Sequence, residues 1–131
     1  MAYLLDTNVV SDLVRRPQGV VAERIRVVGE SEVATSVIVA AELRYGAAKK
    51  GSERLTAQLE AVLRVLEVHP FEAPADRVYG DLRARLEREG RPIGANDLLI
   101  AAQALSGGLT LVTDDREFDR VAGLTTENWL P

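Results

Sequence analysis

Four acidic residues occupy positions where they could hold a metal ion. Asp6 ends a short apolar run, and Asp115 follows a second apolar run at 109–112. Glu42 and Asp97 each have mostly apolar neighbours three and four positions away, on what would be the same face of a helix. A carboxylate in such surroundings is rarely buried unless it is paired or bound to a metal. The four acids are therefore candidates for one shared site.

Convergence of these carboxylates would require a cation. Two unit charges 4 Å apart repel by about 4 kcal/mol at an effective dielectric constant near 20. Mg²⁺ and Mn²⁺ prefer oxygen ligands and would relieve this repulsion. The chain has one histidine and no cysteine, which argues against a zinc site with nitrogen and sulfur ligands.

Each acid also has an ordinary structural interpretation. Asp6 could begin a turn or cap the next helix, and Asp115 could cap the turn that follows it. Asp97 could be an acid in the first turn of a helix, where the helix dipole favours it. Glu42 could pair with Arg44 or with another basic residue. These alternatives stay open for each residue taken singly, but the four taken together favour a common site.

The elements that must position these acids alternate between strands and helices, which predicts an α/β sandwich with a mostly parallel sheet. Ligands of such sheets bind beyond the carboxyl ends of the strands, where Asp6 and Asp115 would share one edge. The predicted strands are 2–5, 32–35, a short one beginning at Val68, 109–112 and 124–126; the predicted helices are a short one after Asn8, 20–28, 37–49, 53–66, 75–89 and 96–105.

Length and composition indicate a single globular domain spanning residues 1–131. The net charge of −4 argues against binding nucleic acid through bulk positive charge, but it is compatible with carboxylates that hold a metal which in turn binds phosphate. The absence of cysteine excludes disulfides and thiol chemistry and fits a cytoplasmic protein. We expect neither a membrane span nor a signal peptide.

Four segments carry a resemblance to a known family. Residues 3–11, 36–46, 93–102 and 111–118 are similar, in order and spacing, to the four motifs of VapC-type PIN domains. The first contains Leu-Leu-Asp-Thr-Asn, and the last contains Val-Thr-Asp-Asp-Arg-Glu-Phe. A lone Asp-x-Asn would be weak, whereas four motifs in sequence over nearly the whole chain are specific.

The resemblance implies a PIN-like α/β/α sandwich and an Mg²⁺- or Mn²⁺-dependent endoribonuclease that acts as the toxin of a type II toxin–antitoxin pair. It also implies an RNA substrate, a VapB-like antitoxin and a homodimer as partners. Carried onto this chain, the resemblance makes Asp6 and Asp97 the principal metal ligands, Glu42 and Asp115 the other members of an acidic quartet, and Asn8 and Thr113 supporting residues that act by hydrogen bonding.

The last motif departs from the pattern in many relatives, which carry asparagine where this chain has Asp114 and Asp115. The two-residue offset from Thr113 favours Asp115 as the fourth acid. Asp114 is the alternative, and its ordinary interpretation is a solvated turn residue.

RNA must also be bound outside the acidic site. Arg15 and Arg16, after the first motif, and Arg83 and Arg85, on the predicted helix 75–89, could contact phosphates. Their ordinary interpretation is a set of solvated helix faces. The apolar stretch 37–66 is where we expect contacts with a partner or a second copy.

Three other functions remain possible at this point. The protein could be a housekeeping RNA-processing enzyme or a DNA nuclease of the PIN class. It could be a non-catalytic module that only binds a partner. It could also be a phosphatase with a strand-end aspartate nucleophile, although such enzymes usually carry a second aspartate where this chain has Asn8.

Overall fold

A computed structural model describes residues 2–131, in which strands and helices alternate along most of the chain. The strands are β1 (Tyr3–Leu5), β2 (Val33–Ser36), β3 (Glu67–His69), β4 (Thr110–Val112) and β5 (Thr126–Glu127). The helices are α1 (Thr7–Arg15), α2 (Val20–Val28), α3 (Val37–Lys50), α4 (Glu53–Val65), α5 (Ala75–Arg88) and α6 (Ala95–Gly107), with 3₁₀ helices at Glu30–Glu32 and Arg116–Arg120.

The strands form one sheet in the order β3-β2-β1-β4-β5, and every neighbouring pair is parallel. The α/β prediction is confirmed, and the sheet is parallel throughout rather than mostly so. Leu4 and Leu5 of β1 and Leu111 and Val112 of β4 are fully buried, as expected for central strands covered on both faces. Since β2 and β4 lie on opposite sides of β1, the strand order reverses direction beside β1, which creates a crevice at the carboxyl ends of β1 and β4.

The helices cover the sheet in two packed groups that meet where α3 contacts α6. Helix α1 contacts α2, α3 and α4, whereas α5 packs along α6. Helix α2 forms although it is rich in β-branched residues, because Val21 and Ile25 are buried in the core and tertiary packing outweighs their low helix propensity. Within residues 2–131, none of the helices combines the length and the apolar character needed to cross a membrane.

The last strand lies later in the chain than its predicted position at 124–126. Leu124 and Thr125 precede β5, which occupies Thr126–Glu127. The reason is a turn at Gly123, whose φ of +84° lies in the left-handed region. Pairing with β4 begins only after this turn, where the backbone N–H of Leu111 donates to the carbonyl oxygen of Thr125 (2.9 Å).

Two serines cap the N-termini of helices α3 and α4. The Ser36 Oγ accepts a hydrogen bond from the backbone N–H of Ile38 (2.9 Å) at the start of α3. The Ser52 Oγ accepts one from the N–H of Leu55 (3.1 Å) at the start of α4. Both satisfy helix donors that have no partner within the helix.

The Ser36 side chain also belongs to a buried polar network. Its hydroxyl donates to the Oε1 of Gln103 in α6. The Nε2 of Gln103 in turn donates to the carbonyl oxygens of His69 (3.3 Å) and Pro70 (3.0 Å), just beyond the middle of the chain. Ser36 is fully buried and Gln103 is nearly so. The network therefore joins the start of α3, the middle of α6 and the end of β3.

We expect Ser36→Ala to destabilise the protein more than Ser52→Ala. Loss of either cap costs about 1 kcal/mol. Ser36→Ala also leaves the buried Gln103 Oε1 without its donor, which adds about 1–3 kcal/mol. Urea unfolding of both variants measures the difference, and equal losses in the free energy of unfolding would contradict the buried network.

Candidate metal centre

The candidate site lies in the crevice at the carboxyl ends of β1 and β4. Asp6 follows β1 directly, and its backbone N–H donates to the carbonyl oxygen of Val112 (2.9 Å), the last residue of β4. Thr113 and Asp115 follow β4. The parallel pairing of β1 and β4 thus brings residues that are more than 100 positions apart in sequence to one edge of the sheet.

Asp6 is the deeply buried acid of the site, with 5% of its surface exposed. Its Oδ2 accepts a hydrogen bond from the Thr113 hydroxyl (2.7 Å). Its Oδ1 is buried and has no hydrogen-bond partner among residues 2–131. Burial raises the pKa of Asp6, hydrogen bonding from the Thr113 hydroxyl and the Thr7 backbone opposes the rise, and the charges of Glu42 and Asp115 add to it. A buried carboxylate with an unused oxygen requires a proton or a cation.

Thr113 connects two of the acids. Its hydroxyl donates to Asp6 and accepts a hydrogen bond from the backbone N–H of Asp115 (3.0 Å). One side chain therefore orients the Asp6 carboxylate and also fixes the backbone that carries Asp115. This is the arrangement expected of a supporting residue behind a metal ligand.

Asp97, Asp115 and Glu117 form a cluster in which each offers one carboxylate oxygen, and these oxygens lie within 4.8 Å of one another. Asp97 lies in the first turn of α6 and is partly buried. Desolvation, followed by the charges of Asp6, Asp115, Glu42 and Glu117, raises the pKa of Asp97 to about 6. Asp6 and Glu42 are not members of this group of three, although their charges act on Asp97.

Glu117 was not among the acids singled out from the sequence. It lies in the 3₁₀ helix, and its backbone N–H donates to the Oδ1 of Asp115 (2.9 Å). This hydrogen bond turns the chain tightly and directs the two carboxylates to the same place. In the sequence, Glu117 stands two residues after Asp115 in the last motif. That spacing brings the two carboxylates together only because the chain turns tightly there.

Glu42 projects from α3 and is held by a neighbour that the sequence interpretation also passed over. The Thr7 hydroxyl, in the first turn of α1, donates to the Oε1 of Glu42 (3.0 Å). The suggested pair with Arg44 does not form, because Arg44 binds Glu60 through two hydrogen bonds of 2.9 Å. Glu42 is therefore not paired with Arg44, and it contributes to the raised pKa values of Asp6 and Asp97.

Asn8 and Asp114 contact each other at the margin of the site. The Nδ2 of Asn8 donates to the Oδ1 of Asp114 (3.1 Å), and both residues are exposed. The structure brings Asp115, not Asp114, into the cluster with Asp97. Asn8 thus contacts the residue beside the cluster rather than a member of it.

The four arginines proposed for RNA contact are dispersed. Arg15 lines a groove between α1, α3 and α4 that also contains Glu42. Arg16 binds the buried Asp12 (2.5 Å), and Arg83 binds Glu87 (3.0 Å) on the exposed side of α5. Arg85 is partly buried in α5. Arg15 is thus the one of the four that shares a groove with a site acid.

Comparison with known proteins points to one family. The family model of the PIN domain matches residues 3–124. The chain is 40% identical to ribonuclease VapC2 of Rickettsia felis, with 98% of each chain covered. It is 37% identical to the tRNA(fMet)-specific endonuclease VapC of Shigella flexneri, also with 98% of each covered.

Solved structures show the same fold. The toxin–antitoxin complex VapBC2 of Rickettsia felis, bound to a promoter DNA fragment, contains a chain with a TM-score of 0.90 and 37% identity, covering 99% of this chain and 100% of that one. DNA-bound VapBC of Salmonella typhimurium gives a TM-score of 0.91 and 36% identity, covering 99% of both chains. With its PIN-like sheet and the four motifs predicted from the sequence, this chain belongs to the PIN-domain family and, within it, to the VapC ribonucleases.

Proposed function

We propose that this protein is a divalent-metal-dependent endoribonuclease and the toxin of a toxin–antitoxin pair. The observation that carries the proposal is the buried, unpartnered Oδ1 of Asp6 beside a cluster of carboxylates at the reversal of strand order. Such an oxygen is stabilised by a cation, and ligands of parallel sheets bind at this position.

The donor set fits Mg²⁺ or Mn²⁺. The candidate ligands are all carboxylate oxygens, which these ions prefer, and neither histidine nor cysteine is among them. Asp6, Asp97, Asp115 and Glu117 would hold the metal, and Glu42 would add charge from α3. When bound, a divalent metal lowers the pKa of a water molecule and stabilises negative charge on phosphoryl oxygens.

The chain's own residues would prepare the site for phosphodiester hydrolysis. Thr113 fixes the Asp6 carboxylate, and Thr7 fixes that of Glu42. The high pKa of Asp97 allows its carboxyl to hold a proton near pH 6 until a cation replaces it. Attack of water on phosphorus in line with the departing 3′ oxygen would leave 5′-phosphate and 3′-hydroxyl ends.

RNA is the substrate class that the relatives support, since those of Rickettsia felis and Shigella flexneri are named a ribonuclease and a tRNA(fMet)-specific endonuclease. Arg15 shares a groove with Glu42 and could contact backbone phosphates next to the scissile bond. Contact of RNA with Arg16, Arg83 and Arg85 stays a prediction. An enzyme that cleaves cellular RNA would act in the cytoplasm.

An antitoxin of the VapB kind is the partner we propose, because the similar Rickettsia felis and Salmonella typhimurium structures are VapBC complexes. An open groove of about 340 Å³ between α1, α2 and α4 is lined by Leu13, Ile25, Val62 and Leu66, beside the exposed Val65. An apolar face of this kind requires cover, and a segment of the antitoxin would supply it. Formation of a homodimer also stays a proposal.

The test is cleavage of total cellular RNA by the purified protein, with Mg²⁺, with Mn²⁺ and with a chelator. We expect metal-dependent fragments whose 5′ ends carry phosphate, and none from an Asp6→Ala control. Sequencing of the 5′-phosphate ends would identify the target. Cleavage that persists in chelator, or that Asp6→Ala retains, would contradict the proposal.

A further inference from the structure

Arg120 joins the two chain segments that carry the clustered acids. It is the last residue of the 3₁₀ helix Arg116–Arg120, in which Glu117 lies one turn earlier. Its Nη1 donates to the carbonyl oxygen of Pro92 (2.8 Å) and lies 3.6 Å from the Oε1 of Glu117. One guanidinium nitrogen thus contacts both a site acid and the segment that leads into α6.

The segment 91–94 leads into α6, the helix that carries Asp97 in its first turn. It has no regular structure, and it ends at Gly94, the N-cap of α6, three residues before Asp97. Ile93 packs against the core and the backbone N–H of Arg91 donates to the carbonyl oxygen of Leu86 (2.8 Å), whereas Pro92 and Gly94 are exposed. Among residues 2–131, the bond from Arg120 to Pro92 is the one hydrogen bond that connects this segment to the 3₁₀ helix.

We infer that Arg120 is a positioning residue, which holds the start of α6 against the 3₁₀ helix so that Asp97 and Glu117 stay close enough to share one cation. The expected effect on metal binding rests on the proposed metal-dependent function. The expected effect on the position of α6 does not. The contact also places a positive charge beside Glu117, where it offsets part of the repulsion among the clustered carboxylates.

Positioning and simple electrostatics predict opposite effects on metal affinity. A positive charge beside a cation site repels the cation, so its removal would by itself tighten metal binding. Loss of the connection between Pro92 and the 3₁₀ helix would instead let the ligands separate and would weaken binding. The sign of the change therefore distinguishes the two roles.

Arg120→Gln removes the charge and the long reach to Pro92, whereas Arg120→Lys keeps the charge and a donor. Arg116→Gln is the matched control, because Arg116 lies in the same 3₁₀ helix, is exposed and makes no hydrogen bond or ion pair among residues 2–131. It removes the same charge without breaking the connection.

The first measurement is the Mn²⁺ affinity of the full chain by isothermal titration calorimetry. We expect the Kd of Arg120→Gln to rise about 10-fold, the lower end of the range for residues that support metal ligands. Arg120→Lys should recover most of the affinity. Arg116→Gln should bind Mn²⁺ as tightly as the wild type or more tightly.

The second measurement needs no metal. The backbone N–H of Leu98 donates to the carbonyl oxygen of Gly94 (2.9 Å) in the first turn of α6, so its hydrogen exchange reports on that turn. We expect faster Leu98 exchange in metal-free Arg120→Gln, with the amides of central β1 unchanged. An unchanged Leu98 rate, or Mn²⁺ binding as tight as in the wild type, would overturn the inference. If the wild type binds no Mn²⁺, the proposed metal-dependent function fails, and the exchange rates alone decide the role of Arg120.

Discussion

Replacing Asp6 with asparagine should abolish metal-dependent RNA cleavage while making the metal-free protein more stable. Asparagine keeps the shape of the side chain, and its carbonyl oxygen can still accept the hydrogen bond from Thr113. The substitution removes a buried negative charge whose pKa is raised by desolvation and by neighbouring acids. Folding of the metal-free protein therefore no longer has to bury that charge.

The expected loss of cleavage is at least about 100-fold, because residues that only support a metal ligand already contribute 10- to 100-fold. The measurement pairs the initial rate of RNA cleavage in Mg²⁺ with urea unfolding in chelator. Asp81→Asn, at an exposed position of α5, is the matched control and should change neither quantity appreciably. A lower stability of Asp6→Asn in chelator would show that the Asp6 charge is compensated within the protein itself.

The metal-free protein should become more stable when the pH is lowered from 7.5 to 5. The pKa of Asp97 in the folded protein is about 6, against 3.8 for the free group, and that of Asp6 is also raised. A raised carboxyl pKa means that the folded state binds the proton more tightly than the unfolded state does. This contribution is fully present below pH 3.8 and is lost as the pH rises through about 6.

The size of the effect follows from the Asp97 shift. The full shift corresponds to about 3 kcal/mol at 1.36 kcal/mol per pH unit, and about half of it falls between pH 5 and 7.5. Solvent screening of this partly buried group reduces the expected change over that range to about 1 kcal/mol or less. Thermal unfolding in chelator between pH 5 and 7.5 measures it. Asp97→Asn should flatten the dependence, and the same pH dependence of Tm in the wild type and in Asp97→Asn would contradict the predicted shift.

Added Mg²⁺ should reverse this trend. Binding requires deprotonated carboxylates, so the stabilisation that Mg²⁺ provides should be large at pH 7.5 and small at pH 5. The difference between Tm values with and without Mg²⁺ isolates the site from every other titrating group of the protein. The same difference in Asp97→Asn should be close to zero at both pH values.

The sequence by itself determined the fold class and most of the acids. Apolar runs such as Leu4–Leu5 and 109–112, alternating with helical patterns, favour a parallel sheet covered on both faces, and each run ends at an acid or just before one. The motifs at 3–11 and 111–118 added family membership, which the comparisons confirm. Hydrophobic periodicity and the ends of apolar runs are local properties of the sequence, so the sequence alone could predict the helices and strands.

The tertiary structure alone decided how the site is assembled. Glu117 joins the cluster through a tight turn closed by Asp115, and Thr7 reaches Glu42 because α1 packs against α3. Thr113 bonds Asp6 across 107 positions of sequence, which only the pairing of β1 with β4 makes possible. Hydrogen-bond partners and shifted pKa values depend on distances between residues far apart in the chain, and the order of the residues fixes such distances only once the chain has folded.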